Sequence, residues 1–171
     1  MDDFLKIEKN LDLQLSSNFN LKEFFSSSNF YESNLDDFCK LDSSTKVIYI
    51  SNIHFLCVCL QTLRNSLQLP IAITSGWRSP STNASVAGAT FSNHLKGLAC
   101  DFHVVCKNEH DNRLFFDYGG YSAVSVFLCK IPCAREVIQY VSRDGKVQWI
   151  HFAVDPLRKS GTNLKVTYLK W

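Results

Sequence analysis

Between Val47 and Leu67 apolar residues return every three or four positions, at Ile53, Leu56, Leu60, Leu63 and Leu67. That spacing draws one stripe along a helix of 3.6 residues per turn. Pro70 bars its continuation, because proline lacks the donor and clashes with the preceding turn. IAITS follows at once and reads as a short buried strand. Further strands are expected at LACDFHVV, EVIQY and VQWIHFAV. The last two flank SRDGK, where Asp144-Gly145 is a strong hairpin signal. The expected class is α+β, with helices packed on one side of a small, largely antiparallel sheet.

The remaining segments fill in around that frame. Residues 1–18 read as a loosely held N-terminal arm. In FNLKEFF, Asn20 can cap a helix, Glu23 can complete a capping box, and Phe19 and Phe24 stand where a hydrophobic staple puts them. SSSNFYESN is polar and reads as a loop. Ser79 is a plausible N-cap with Pro80 at the first helical position, for a short helix toward Val86 ended by Gly88. From Asp111 to Leu128 a helical pattern is interrupted by Gly119 and Gly120. A length of 171 residues suggests one domain. We place it at 19–157, with 158–171 as a C-terminal extension.

Eighteen basic against sixteen acidic residues give a net charge of +2, too balanced for a large nucleic-acid footprint. No run is expected to reach the length of a membrane span. The start, MDDFLKIEKN, is acidic and does not read as a secretory signal. Seven cysteines, several in apolar runs, are expected to be mostly reduced, buried thiols, which fits synthesis in a reducing cytoplasm. CxC at Cys57 and Cys59, and the four-residue step from Cys129 to Cys133, lack the paired CxxC spacing of a strong zinc signal.

SNHLKGLACDFHVV carries two potential metal ligands seven residues apart, His94 and Asp101. An imidazole nitrogen and a carboxylate oxygen both suit zinc. Gly97 between them would let the turn approach closely or take positive φ. A third ligand should come from another rigid element. His151 is the best candidate, because a polar group in the apolar strand VQWIHFAV needs a partner or a metal. Two histidines and one carboxylate leave a coordination position for water, as in catalytic zinc sites. The alternative is an Asp–His hydrogen bond with no metal. His103, two residues past Asp101, competes as a further ligand or as a donor behind one. His54 lies in the core-helix pattern, and His110 is expected to be exposed.

SGWRSPSTNASVAGATFSNHLKGLACDF resembles the D-alanyl-D-alanine carboxypeptidase and endolysin-like zinc peptidases of family M15, whose segment runs SGYRSP…N..V.G….S.HL.G.A.D. WIHFAV resembles their closing WVH strand. FNLKEFF and the long helix stand in the order of the phage-like branch. The likeness spans roughly residues 19 to 155 and implies the hedgehog/DD-peptidase-like fold. It implies Zn2+ held by His94, Asp101 and His151, with Arg78 near the substrate and Ser92 as a small polar residue steadying the site. The implied activity is zinc-dependent hydrolysis of peptide bonds in bacterial peptidoglycan, of murein endopeptidase or DD-carboxypeptidase type. The alternative is a weak or inactive zinc-containing module that binds cell-wall peptide. Action at the bacterial wall, during lysis or within a phage particle, rests on the resemblance alone. Trp77, Phe91 and Trp149 could line a groove, and each fits a core equally well.

The resemblance breaks at the general base. M15 enzymes often carry an acid three residues before the last histidine, or at the end of the preceding strand. Here the first position is Gln148, and Tyr140 falls near the second. If Asp144-Gly145 forms a two-residue loop, Arg143 pairs with Lys146, Tyr140 with Trp149 and Ile138 with His151. Tyr140 and Glu136 then share the face of His151, while Gln148 points away unless a bulge intervenes. Tyr140 could hydrogen-bond the reacting oxygen. Glu136 stands about two cross-strand rows away, and Asp144 sits in the turn.

Overall fold

The long apolar stripe forms the helix it predicts. In a computed structural model, which describes residues 12–27, 29–158 and 164–170, Ser43–Leu67 is one α-helix, α2. It starts four residues before the stripe because Asp42 caps it, its carboxylate accepting from the Thr45 backbone at 3.0 Å. Ile50, Ile53, Leu56, Leu60, Leu63 and Leu67 are all buried. By length and composition α2 is long and apolar enough to cross a membrane, contrary to the expectation that no run would be. Its apolar side is nevertheless spent inside the protein.

Before α2 come a 3-10 turn at Leu21–Phe25 and helix α1 at Tyr31–Cys39. The capping box forms as read, with Asn20 taking the Lys22 backbone at 3.0 Å and giving its own N–H to Glu23 at 2.7 Å. Phe19 and Phe24 lie 6.2 Å apart as the staple. Helix α1 replaces part of the loop expected over SSSNFYESN. After α2 come β1 (Ile71–Ser75), α3 (Pro80–Ser85), a 3-10 turn (Asn93–Lys96), β2 (Ala99–Val104), α4 (Glu109–Tyr118), α5 (Gly120–Cys129), β3 (Ala134–Val141), β4 (Val147–Val154) and β5 (Lys165–Lys170). The ambiguous stretch resolves into two helices parted by Gly119, whose φ of +102° suits a residue without Cβ.

The five strands form one mixed sheet in the order β1-β2-β4-β3-β5. Strands β3 and β4 are antiparallel, and β3 and β5 are parallel. The fold is α+β, as expected. Residues 1–11 of the arm, and 159–163 and 171 of the C-terminal extension, lie outside the described residues.

Contact density divides the chain into two units. One runs to Val58 and resumes over Ile73–Cys100. Its core is aromatic: Phe38 sits edge-on to Phe25 at 4.7 Å and to Trp77 at 5.4 Å. Gly76 lies in this core, where a Cβ would come within 2.1 Å of the Phe24 carbonyl oxygen. The close approach lets Trp77 N–H donate to Phe24 at 2.6 Å and Gly76 N–H to Ser26 at 2.9 Å. Buried Asn34 on α1 ties the same corner together. Its amide donates to the carbonyls of Phe25 (3.2 Å) and Trp77 (3.1 Å), and its oxygen accepts from the Ser79 backbone (3.0 Å).

The other unit comprises Cys59–Ala72 and the chain from Asp101 onward. Its core gathers Phe102, Val124, Leu128, Val137 and Phe152. Buried Gln139 donates to the Tyr121 carbonyl at 3.1 Å and to Ser125 at 2.7 Å, which answers its burial.

The β3–β4 turn corrects the two-residue loop. Ser142 N–H donates to Lys146 and Gly145 N–H to Ser142, both at 2.9 Å. The loop is Arg143-Asp144-Gly145, with Gly145 at φ +84°. Tyr140 still faces Trp149 and Ile138 still faces His151, because Val141 pairs with Val147 and the register shifts by one. The extra residue is Gln148, and this bulge absorbs the added loop residue.

Candidate metal centre

His94 is set by a short turn whose ends are both fixed. Ser92 Oγ accepts from the His94 backbone at 3.3 Å, so Ser92 caps the turn. Gly97 closes it at φ +69°, and a Cβ there would meet Ile53 Cγ1 at 2.9 Å. Gly97 therefore serves both purposes read from the sequence. His94 is 3% exposed, and its Nδ1 lies 2.6 Å from the Gly76 carbonyl oxygen. A carbonyl only accepts, so Nδ1 carries the hydrogen and Nε2 keeps the lone pair a metal needs.

Asp101 stands on β2 and His151 on β4, neighbours in the sheet. His151 Nδ1 lies 2.8 Å from Asp101 Oδ1. One ligand atom from each of His94, Asp101 and His151 lies within 4.8 Å of the others. Two imidazoles and a carboxylate, with both histidines buried, form a donor set that fits zinc.

The second ring nitrogen of His151 faces β3. Nε2 lies 3.4 Å from Glu136 Oε2. Glu136 pairs with Ala153, two pairs along from Ile138–His151 and on the same face, and the diagonal is within its reach. The separation of two cross-strand pairs is as read from the sequence, and the Glu136 side chain spans it along the diagonal. Burial pulls the His151 pKa down. Hydrogen bonds and charge from Asp101 and Glu136 outweigh that and raise it to about 9. Without metal at neutral pH, the ring is an imidazolium held between two carboxylates.

The other sequence candidates fall in distinct places. Arg78 N–H donates to the His94 carbonyl at 3.2 Å, and its Nε donates to Ser75 Oγ at 2.9 Å. It thus stands on the same corner as His94, tied to a hydroxyl rather than a carboxylate through that nitrogen. Tyr140 stacks on Trp149, with centroids 4.8 Å apart and planes at 18°, on the face of β3 and β4 that carries His151. Gln148 is exposed and donates back toward the turn, to Ser142 Oγ at 3.2 Å. Asp144 ion-pairs with Lys146 in the turn at 3.1 Å. His103 is outside the three-residue cluster. His54 is exposed on α2, not structural core, and His110 is exposed as expected. Trp77 is core, and Phe91 is 90% exposed. Only Cys57, Cys59 and Cys100 are buried, fewer than expected, and all seven cysteines are free thiols.

A family model described as Peptidase M15 matches residues 18–118, more than half of the chain. The chain belongs to the M15 peptidase family. The matched span holds Arg78, His94 and Asp101. His151 lies beyond it, and its inclusion in the cluster rests on the fold, which brings it beside Asp101. No curated protein matches the sequence. Sequence reasoning undervalued Glu136, although the alternation of EVIQY had already set it on the His151 face.

Proposed function

We propose that this M15 peptidase is a zinc-dependent metallopeptidase that hydrolyses peptide bonds in bacterial peptidoglycan, of murein endopeptidase or DD-carboxypeptidase type. One observation carries the reading: His94, Asp101 and His151, distant in sequence, gather their ligand atoms within 4.8 Å. These three residues would hold the zinc. When bound, the ion supplies Lewis acidity toward a peptide carbonyl and lowers the pKa of water.

The chain's own residues bind and orient. The Arg78 guanidinium, positioned through Nε by Ser75, would grip a substrate carboxylate, the partner its planar fork suits. The Tyr140 hydroxyl, its ring steadied on Trp149, donates to the carbonyl oxygen as charge develops.

A second reading is favoured by Gln148. An amide stands where M15 enzymes often carry an acid, and it cannot accept and return a proton. In that reading the centre binds metal and wall peptide without cutting. Under both readings the protein is made in the cytoplasm and acts at the bacterial wall, during lysis or from within a phage particle, and nucleic acid is not a partner.

The test is incubation of zinc-loaded full-length protein with purified peptidoglycan, followed by mass spectrometry. New amino termini support the peptidase. Sedimentation with the wall but no product supports the binding module. Neither product nor binding sinks both.

A further inference from the structure

Glu136 touches the side of His151 that faces away from the metal cluster. Asp101 belongs to the cluster and meets Nδ1, while Glu136 does not belong to it and meets Nε2. Nδ1 is therefore the nitrogen directed at the ion. A histidine that gives one nitrogen's lone pair to a metal carries its hydrogen on the other. That hydrogen sits on Nε2, facing a carboxylate.

We propose that Glu136 is a positioning residue for the metal centre: it accepts the Nε2 hydrogen of His151, fixes the ring's tautomer and orientation, and so raises affinity for zinc. This rests on the zinc reading above. Glu136 acts through His151 and does not touch substrate.

The surroundings of Glu136 agree with that role. Its other oxygen, Oε1, lies 3.6 Å from Lys165 Nζ. Lys165 sits directly beside Glu136 in the parallel β3–β5 register. Strand β5 thus places a cation beside the carboxylate, on the oxygen that does not face His151. The chain Lys165–Glu136–His151–Asp101 crosses the sheet from β5 to β2. The two metal histidines then share one design. His94 gives its spare N–H to the Gly76 carbonyl, and His151 gives its spare N–H to a carboxylate. A contact of 3.4 Å is long for a hydrogen bond, yet a carboxylate acceptor there raises the ligand's basicity more than a neutral one.

The test compares the zinc affinity of the full chain and its variants by competition with a chromophoric chelator, alongside the visible spectrum of the cobalt(II) form. Loss of a partner behind a ligating histidine typically costs about 10- to 100-fold in metal affinity. Glu136→Ala is expected to lose that much and to alter the cobalt spectrum. Glu136→Gln, whose amide oxygen still accepts, is expected to recover part of the loss. Glu136→Ala with unchanged affinity and spectrum overturns the positioning role while leaving the zinc reading intact. If the unaltered chain binds no zinc, the zinc reading fails and this inference with it. Should Glu136→Ala fold poorly, Glu136→Gln and Lys165→Ala carry the test, since each is expected to weaken binding, and unchanged affinity in both overturns the proposal.

Discussion

His151 Nδ1 stands 2.8 Å from Asp101 Oδ1, so without metal the two form a buried ion pair. The His151 pKa is about 9, above its ordinary 6.5. A raised pKa means that folding favours the protonated ring. The stabilisation is fully present below about pH 6.5 and is lost as pH rises through about 9. It is on the order of 3 kcal/mol at most. Thermal unfolding in chelator between pH 6 and 10 should show stability falling across that window, and His151→Phe should flatten the fall. An unaltered slope in the variant would remove His151 as its source.

Gly76→Ala should damage both the corner and the centre. The new Cβ would press on the Phe24 carbonyl, which is backbone and cannot swing aside. Overpacking of this kind costs about 1–3 kcal/mol or more. The displaced Gly76 carbonyl is also the acceptor for His94 Nδ1. Urea unfolding and zinc competition should both report the change, whereas full stability with full affinity would refute the contact.

Asn34→Ala strips partners from three buried backbone groups, on Phe25, Trp77 and Ser79. Each group left unsatisfied costs about 1–3 kcal/mol. Denaturant unfolding should show a loss of at least about 3 kcal/mol. A loss below about 1 kcal/mol would mean that water or a shifted side chain replaces the amide.

Tyr140→Phe keeps the ring on Trp149 and removes only the hydroxyl. Stability should stay within about 0.5 kcal/mol. If the hydroxyl meets developing charge, kcat on wall peptide should fall at least ~10-fold with little change in KM. An unchanged kcat would make Tyr140 a packing ring.

Much of this was legible in the sequence, and the gaps have physical causes. The α2 stripe, the Pro70 stop, the Asn20 and Ser79 caps and the Gly97 turn are local rules that the fold obeys. The Tyr140–Trp149 register was also correct, although for an incomplete reason. A longer turn and a bulge at Gln148 cancel, and spacing alone cannot reveal such a pair of compensating shifts. Helix α1 was read as loop because its polar residues look solvated. Asn34 is instead buried, and its partners lie on segments remote in sequence. Glu136 was on the correct face but was judged too distant, since side-chain reach along a sheet diagonal is not visible in a register count. The parallel pairing of β5 with β3 is likewise non-local and carries no short-range signal.

The central claim is that His94, Asp101 and His151 close on one ion. The direct measurement is the metal content of the full-length protein by mass spectrometry, after zinc loading and gel filtration. Alanine variants at each of the three positions are measured alongside. The account predicts about one zinc per chain, lost in every variant while the fold is retained. A folded protein without zinc, or His151→Ala that still holds a full equivalent, would contradict it.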